Sequence, residues 1–247
     1  MKNSKKTALI TGGARRLGKH ISIGLAKEGF DIAFTYNSTP KAVLKKTLDE
    51  FENIGVYVKA IKCNVTSVSQ IKRTIELVEK SFGRLDVLVN NAAIFEKIDF
   101  FEITESYFEK FISTNLKSVL FFSKYAAELM LKKNHYPGRI INISSMGAFE
   151  NWPAFIPYSV SKAGVVKLTE LMAKKLAPSI IVNSIAPGTI MIEDDKNENV
   201  NMVDVKKYPM QRFGNTEDIV SLVKYLSTNN EFITGQTFKV DGGKSLS

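Results

Sequence analysis

The sequence has a single cysteine, Cys63, among its 247 residues. One cysteine excludes an internal disulfide, and its apolar, strand-like surroundings favour a reduced, cytoplasmic setting. No apolar run approaches the length that crosses a membrane, and the run at residues 8–10, behind a basic amino terminus, is too short for a signal peptide. Internal repeats, low-complexity segments and nucleic-acid-binding motifs are also missing. We therefore expect a cytoplasmic chain with no membrane or nucleic-acid partner.

The length and composition allow one large core. The chain is 44% apolar and shows no break in composition, so we expect a single domain over residues 1–247. Its formal charge of +9 favours anionic partners through a long-range field. Because the lysines are spread along helical segments, a solvated basic surface explains most of that charge, although an anionic cofactor or an acidic carrier protein would also benefit.

Short, almost continuous apolar runs alternate with segments of helical periodicity along the chain. Strands buried on both faces of a parallel sheet have this pattern, with helices covering the sheet. The sequence therefore predicts a doubly wound, Rossmann-type α/β fold whose seven strands lie near residues 7–10, 32–35, 56–61, 85–89, 139–143, 180–185 and 237–240. The helices are expected near residues 44–51, 71–82, 107–131 in two segments, around Tyr158, and 217–226.

Residues 189–207 break this alternation, since they are polar and have no convincing period. A long irregular stretch in a compact domain is often a lid or a binding loop. Its position after a strand end predicts a lid over the substrate.

The first strand is followed by the loop Thr11-Gly12-Gly13-Ala14-Arg15-Arg16-Leu17-Gly18 and then by a helical period. Glycine lets the backbone turn sharply and approach a phosphate, and the positive end of the helix favours the anion. A second strand completes a unit of about thirty residues, the size of a dinucleotide-binding βαβ unit.

The end of the second strand indicates which nicotinamide cofactor is bound. An NAD site usually has an acidic residue there for the ribose 2′-hydroxyl, whereas this chain reads Tyr36-Asn37-Ser38. Arg15 and Arg16 supply positive charge in the preceding loop, which suits a 2′-phosphate. The sequence therefore predicts NADPH, with no metal site.

Tyr158 and Lys162 are four residues apart in a helical segment, so their side chains share a face. A lysine beside the phenol would lower its pKa from about 10 and make it a better proton donor. In a chain this rich in lysine, one such pair also arises by chance. Other residues must therefore support the interpretation.

Two further residues complete a possible catalytic set. A nicotinamide cofactor supplies hydride, while the protein must supply a proton and polarise the substrate oxygen. Ser145, just after the strand at residues 139–143, would hydrogen-bond a carbonyl oxygen. Asn115, in the middle of a helix, would anchor a water that links Lys162 to solvent.

These motifs resemble the short-chain dehydrogenase/reductase family over nearly the whole chain. The matching elements are Thr11-Gly12-x-x-x-Arg16-x-Gly18, Asn90-Asn91-Ala92, Asn115, Ser145, Tyr158-x-x-x-Lys162 and Pro187-Gly188. The resemblance implies an NAD(P)-dependent oxidoreductase, commonly a homotetramer, with Asn115, Ser145, Tyr158 and Lys162 as its catalytic residues. It also implies that residues 233–243 lie near a subunit interface. The implied cofactor-binding positions are Gly12, Ala14, Arg15, Arg16, Leu17, Gly18, Tyr36, Asn37, Ser38, Asn64, Val65, Asn91, Ala92, Tyr158, Lys162, Pro187, Gly188 and Ile190.

Two departures from the family pattern bear on the substrate. Arg16 replaces the usual middle glycine, as in pteridine reductases, and Ala93 replaces a glycine. Pteridine reductases, however, resemble one another in having aspartate where this chain has Ser145, and serine suits a carbonyl oxygen. The resemblance is therefore closest to the 3-oxoacyl-acyl-carrier-protein reductases of fatty acid biosynthesis. Pteridine or dihydrofolate reduction, and a catalytically silent NADP(H)-binding regulator, remain open as alternatives.

The identity of the substrate depends on further residues around these positions. We expect it to be set by residues 189–207 and by a group of large apolar side chains, namely Phe95, Met146, Phe149, Trp152 and Phe155.

Overall fold

A parallel sheet forms the centre of the protein in the computed structural model, which describes residues 5–133, 137–192 and 202–246. Seven strands pair side by side in parallel, and two short strands form a separate pair. The strands are Thr7–Ile10 (β1), Asp31–Tyr36 (β2), Val58–Lys62 (β3), Val87–Asn90 (β4), Gly138–Ile143 (β5), Ile180–Pro187 (β6), Ile190–Met191 (β7), Gly214–Asn215 (β8) and Thr237–Val240 (β9).

The strand order of the large sheet is β3-β2-β1-β4-β5-β6-β9, which confirms the doubly wound fold and its seven strands. The order reverses between β1 and β4. At such a point the loops beyond the carboxyl ends of the strands diverge and leave a crevice for a ligand. The loops after β1 and β4 are those that carry the glycines and the Asn90-Asn91-Ala92 motif.

Helices cover both faces of the sheet. They are Arg16–Lys27 (α1), Lys41–Glu52 (α2), Val68–Phe82 (α3), Glu105–Phe111 (α4), Ser118–Lys133 (α5), Ile156–Leu176 (α6) and Thr216–Thr228 (α7). α1, α2 and α7 pack on one face, around Ile21, Phe51 and Val223, and α3, α5 and α6 pack on the other, around Ile71 and Phe122. Both clusters consist of nearly inaccessible side chains, so the sheet is buried between two apolar layers.

The two helical segments expected near residues 107–131 are α4 and α5, and a π-helical turn, Ile112–Lys117, joins them. A π turn inserts one residue into the helical ladder and is frequent at functional sites. Asn115 lies within this turn, which explains how an asparagine is accommodated inside a long helical stretch.

Residues 189–207 are more ordered at both ends than the sequence suggested. The strand β7 pairs with β8, and Met202–Lys207 form a 3₁₀ helix. The expectation of an aperiodic segment was therefore wrong at these ends, because strand pairing and tertiary packing supply order that periodicity does not reveal. Residues 193–201 lie outside the described part of the chain, so the lid stays a prediction. Within the described ranges, no helix combines the length and apolarity of a membrane span.

Candidate active site

The glycine-rich loop after β1 is tied closely to the loop after β4. The Thr11 hydroxyl accepts hydrogen bonds from the backbone N–H groups of Asn91 and Ala92, both at 2.9 Å. Asn91 Nδ2 donates in return to the Thr11 carbonyl oxygen at 2.9 Å. These bonds fix the spacing of the two loops at the point where the strand order reverses.

Two glycines permit this close approach. Gly12 has a φ of +66°, a left-handed conformation that glycine adopts without strain. A side-chain carbon added at Gly18 would collide with the Gly12 carbonyl oxygen and lie 2.6 Å from Asn91 Nδ2. The loop therefore folds tightly over the start of α1, whose first N–H groups favour an anion.

Arg16 occupies the position where the family usually has glycine, and its φ of +52° lies in the left-handed region. That conformation costs a non-glycine residue about 1 kcal/mol. Arg15 and Arg16 line a cavity of about 310 Å³ between α1 and α2. Lys19 and Lys46 line the same cavity. Lys46 adds positive charge there, whereas Lys19 is paired with Glu50 at 3.1 Å. The sequence analysis missed both lysines; for Lys46 the reason is that no sequence pattern connects α2 with the loop.

The remaining cofactor positions lie at neighbouring strand ends. Tyr36 ends β2 and, with Asn37 and Ser38, brings no carboxylate to the edge of the sheet. Asn64 follows β3, and its Oδ1 accepts hydrogen bonds from the backbone N–H and the hydroxyl of Thr66 at 3.1 and 3.0 Å. Its amide is thus held in a turn. Of the other predicted positions, Ala14 and Leu17 lie in the loop after β1 and the first turn of α1, and Val65 follows β3. Pro187 ends β6, Gly188 follows it, and Ile190 begins β7.

Tyr158 and Lys162 lie together in the first turns of α6. Lys162 Nζ is 5.8 Å from the centroid of the Tyr158 ring and donates to the Ile143 carbonyl oxygen at 2.7 Å. Only 3% of the Lys162 surface is exposed. Burial disfavours the ammonium and lowers the pKa of Lys162 from its usual 10.5 to about 8.

The expectation that Lys162 lowers the pKa of Tyr158 was wrong. Burial raises the pKa of Tyr158 above 10, because the phenolate loses its hydration, and a hydrogen bond with the Ser145 hydroxyl opposes this rise. Tyr158 is therefore a neutral phenol at pH 7, with a proton to donate. The group that lowers the pKa of Tyr158 is therefore Ser145 and not Lys162.

Ser145 is the second residue after the carboxyl end of β5, and it caps the amino end of a short 3₁₀ helix, Met146–Ala148. Its hydroxyl accepts a hydrogen bond from the Gly147 N–H at 3.0 Å and reaches the Tyr158 hydroxyl. The two hydroxyl groups are thus close neighbours, and a carbonyl oxygen placed beside them would have two hydrogen-bond donors. This is the arrangement that carbonyl polarisation requires.

Asn115 is completely buried and connects three segments. Its Oδ1 accepts from the Ile94 N–H at 2.9 Å, and its Nδ2 donates to the Ile94 carbonyl oxygen and to Ser161 Oγ, both at 3.1 Å. Ser161 Oγ in turn donates to the Tyr158 carbonyl oxygen at 2.6 Å. The side chain therefore positions the loop after β4 against the first turn of α6, while its role in anchoring a water stays a prediction.

Aromatic rings surround Tyr158. Phe95 meets its ring edge-on with centroids 4.7 Å apart, and Trp152 lies parallel to it at 6.4 Å. Phe95 also stacks on Phe155 at 4.4 Å, yet remains 56% exposed. The ring of Tyr158 is thus fixed by packing, and the exposed face of Phe95 is available to a substrate.

The chemistry of these residues fits a nicotinamide dinucleotide. The loop over the start of α1 suits its phosphates, Arg15 and Arg16 add positive charge beside it, and the Lys162 ammonium can donate to ribose hydroxyls. Among the described residues, no three His, Cys, Asp or Glu side chains cluster as a metal site would require.

Comparison with known proteins agrees with this geometry. The sequence profile of a family described as enoyl-(acyl carrier protein) reductase matches residues 12–245. The chain belongs to the short-chain dehydrogenase/reductase family, and it is therefore an oxidoreductase that uses a nicotinamide cofactor.

Among curated relatives, the 3-oxoacyl-acyl-carrier-protein reductase FabG of Staphylococcus aureus is 37% identical, over 96% of this chain and 97% of its own. FabG of Thermotoga maritima is 32% identical, over 98% of this chain and 99% of that protein.

Solved structures show the same similarity. The 3-oxoacyl-acyl-carrier-protein reductase of Brucella melitensis in complex with NAD superposes with a TM-score of 0.90 at 29% identity, over 100% of this chain and 99% of that one. Acetoin dehydrogenase YohF from Salmonella typhimurium gives a TM-score of 0.90 at 30% identity, over 98% of this chain and 97% of that chain. Relatives with this fold therefore act on different ketone substrates, so the substrate must be argued from the site.

Proposed function

We propose that this protein is an NADPH-dependent reductase of 3-oxoacyl thioesters carried on acyl carrier protein. The observation that carries the proposal is that the Ser145 hydroxyl is a neighbour of the Tyr158 hydroxyl, while Nζ of the buried Lys162 lies 5.8 Å from the centroid of the Tyr158 ring. The similarity to FabG proteins over nearly the full chain supports the choice of substrate. The reduced cytoplasm remains the proposed compartment.

The residues divide the reaction between them. A nicotinamide cofactor, when bound by the loop after β1 and by Lys162, would be the source of the hydride for the carbonyl carbon. Ser145 hydrogen-bonds the carbonyl oxygen and stabilises the negative charge that develops there. Tyr158 gives its phenolic proton to that oxygen, and the O–H bond of the product alcohol replaces the O–H bond of the phenol. The Lys162 ammonium, held by Ile143, stabilises the resulting phenolate until it is reprotonated.

A substrate comparison tests this assignment. Purified protein with NADPH should reduce an acetoacetyl thioester, followed by the loss of nicotinamide absorbance, much faster than it reduces a crotonyl thioester or a dihydropterin. The reason is that Ser145 and Tyr158 stabilise a developing alkoxide and then protonate it, whereas an enoyl carbon or a ring nitrogen presents different atoms. Turnover of the dihydropterin alone would support the pteridine alternative. Cofactor binding without any turnover would support the silent regulator.

NADPH is the proposed cofactor because Arg15 and Arg16, in the loop after β1, line a cavity beside α1, and the end of β2 offers no carboxylate. Replacing Arg15 by Glu should reduce kcat/KM for NADPH about 100-fold, since a charge-assisted bond to phosphate becomes a repulsion. The rate with NADH should change little. The exposed Arg73→Glu on α3 makes the same charge change away from the loop and is the control. An equal loss with both cofactors would contradict the role of Arg15.

The proposed assembly is a homotetramer. A cavity of about 360 Å³ between α5 and α6 has an almost entirely apolar lining that includes Leu120, Leu131 and Leu171. These three leucines are 42%, 58% and 58% exposed in the single chain. Contiguous exposed apolar surface of this kind marks interaction sites, and burial against further copies of the chain accounts for it.

A further inference from the structure

A cavity of about 500 Å³ follows the open edge of the large sheet, at the opposite end of the strand order from β9. β3 forms this edge and, within the described part of the chain, pairs only with β2. The cavity is lined by residues of β3 and by Gln70, Arg73 and Leu77 of α3. These residues take no part in proton transfer or cofactor binding, and they belong to neither surface proposed for assembly.

The main chain of β3 has unpaired hydrogen-bonding groups at this edge. The Tyr57 carbonyl oxygen and the Cys63 N–H both bond to β2, at 2.9 and 2.8 Å, so the odd-numbered residues between them face that strand. Because successive residues of a strand direct their main-chain groups to opposite sides, Ala60 and Lys62 direct theirs towards the open edge. Such a row of donors and acceptors is a template for an additional strand.

The side chains along this edge are positively charged. Lys59, Lys62 and Arg73 line the cavity, and no carboxylate lines it among the described residues. None of the three cations forms a salt bridge within the described part of the chain. Their charge is therefore available to an anionic partner.

Hydrogen bonds fix the position of α3 relative to β3. Gln70 Oε1 accepts from the Asn64 N–H, just after β3, at 2.9 Å. Ile61 of β3 and Ile71 of α3 are buried in the same apolar cluster. The edge and the cavity therefore have a defined shape before a partner binds, which lowers the entropic cost of binding.

This combination of groups favours an acidic peptide over other anions. A phosphate group can accept hydrogen bonds from the edge N–H groups, but it cannot donate to the carbonyl oxygens that alternate with them. A peptide strand does both. A second copy of β3 would bring its own lysines close to Lys59 and Lys62, and like charges across neighbouring strands repel. The lysines that oppose self-association thus select a strand with acidic side chains.

We propose that the open edge of β3 binds an extended, acidic segment of a partner protein as an eighth strand of the sheet. Carboxylates of the segment pair with Lys59 and Arg73 on the face that α3 covers, and with Lys62 on the other face. The inference is independent of the reductase assignment, because it involves neither the cofactor nor the substrate.

A fluorescein-labelled peptide measures this binding in the absence of cofactor. The sequence Thr-Glu-Val-Thr-Glu-Val-Thr places its glutamates three positions apart, as Lys59 and Lys62 are, and its fluorescence anisotropy should rise as protein is added. Lys59→Glu should raise the Kd about tenfold, since a charge-assisted contact becomes a repulsion. Lys72→Glu is the control, because it makes the same charge change on α3 at an exposed residue outside the cavity. An equal loss with Lys72→Glu would overturn the role of the edge.

Main-chain pairing is tested with the protein unchanged. The same peptide with its glutamates and valines N-methylated should bind about tenfold more weakly, because it cannot donate to the carbonyl oxygens of β3. Ala60→Pro should also weaken binding of the unmodified peptide, since it removes one edge N–H and leaves the bonds to β2 in place. Equal affinity for both peptides would mean attraction by charge alone and would overturn the proposal. An oligothymidylate that binds more tightly than the peptide, or no binding of the peptide, would overturn it too.

Discussion

Replacing Tyr158 by phenylalanine is expected to lower kcat/KM for an acetoacetyl thioester about 10³-fold, the usual contribution of a positioned general acid. The substitution removes only the phenolic oxygen. The ring stays in place because Phe95 meets it at 4.7 Å and Trp152 lies parallel to it at 6.4 Å. The backbone of Tyr158 also stays fixed, since its carbonyl oxygen accepts from Ser161 Oγ.

The affinity for NADPH separates a lost proton donor from a damaged site. Tyr158→Phe should bind NADPH within a few fold of the wild type, measured by nicotinamide fluorescence. Tyr107→Phe is the matched control, because it removes a hydroxyl that donates to Glu96 Oε2 at 3.4 Å on the surface. If Tyr158→Phe keeps a tenth or more of the wild-type kcat, another group delivers the proton and the role given to Tyr158 is wrong.

Replacing Lys162 by methionine is expected to abolish turnover and yet to stabilise the folded protein at pH 7. Burial lowers the pKa of Lys162 from 10.5 to about 8, and this shift means that the charged form costs the folded state about 3 kcal/mol. Methionine has a similar length and carries no charge. The lost hydrogen bond to the Ile143 carbonyl oxygen offsets about 1 kcal/mol, so we expect a net gain of about 2 kcal/mol.

The pH dependence of that gain identifies its cause. Below pH 8, Lys162 is protonated in both the folded and the unfolded wild type, and the full cost is present. Between pH 8 and 10.5 the folded state releases the proton while the unfolded state keeps it, so the wild type becomes more stable as pH rises. The advantage of Lys162→Met should therefore be largest at pH 7 and should reverse by pH 10.5, where the burial cost is gone and the lost hydrogen bond leaves the variant about 1 kcal/mol less stable.

Urea unfolding at pH 7 and at pH 10 measures this difference. Lys167→Met is the control, since that exposed lysine pairs with Glu170 on the surface of α6 and pays no burial cost. An advantage of Lys162→Met that is equal at both pH values would show that packing, and not the buried charge, stabilises the variant. A variant less stable than the wild type at pH 7 would contradict the prediction directly.

The order of the elements could be predicted from the sequence because each has a local signature. Parallel strands such as β5 and β6 read as apolar runs, and α3 and α7 have a clear helical period. The strands that escaped prediction, β7 and β8, have two residues each and exist only through their mutual pairing. A segment so short has no period to detect.

The residues of the candidate site could be predicted from the sequence, but their pKa values could not. Spacing placed Tyr158 and Lys162 on one face of a helix, and the structure brings them together. Their pKa values depend on burial, which is a property of the whole fold, and burial acted on the two groups in opposite directions. The hydrogen bonds of Asn115 to Ile94 and Ser161 were likewise not predictable, because they join segments that only the fold brings together.

By itself the sequence determined the parallel α/β architecture, the cofactor loop and the identity of the groups that can donate a proton or polarise an oxygen, because these follow from local patterns and side-chain chemistry. Only the tertiary structure decided that Arg16 takes a glycine-like conformation, that burial raises the pKa of Tyr158, and that Lys239 and Lys244 share a cavity with Met146. Each of these features depends on contacts between residues far apart in the chain, and no local sequence pattern shows how the sheet brings their strand ends and loops together.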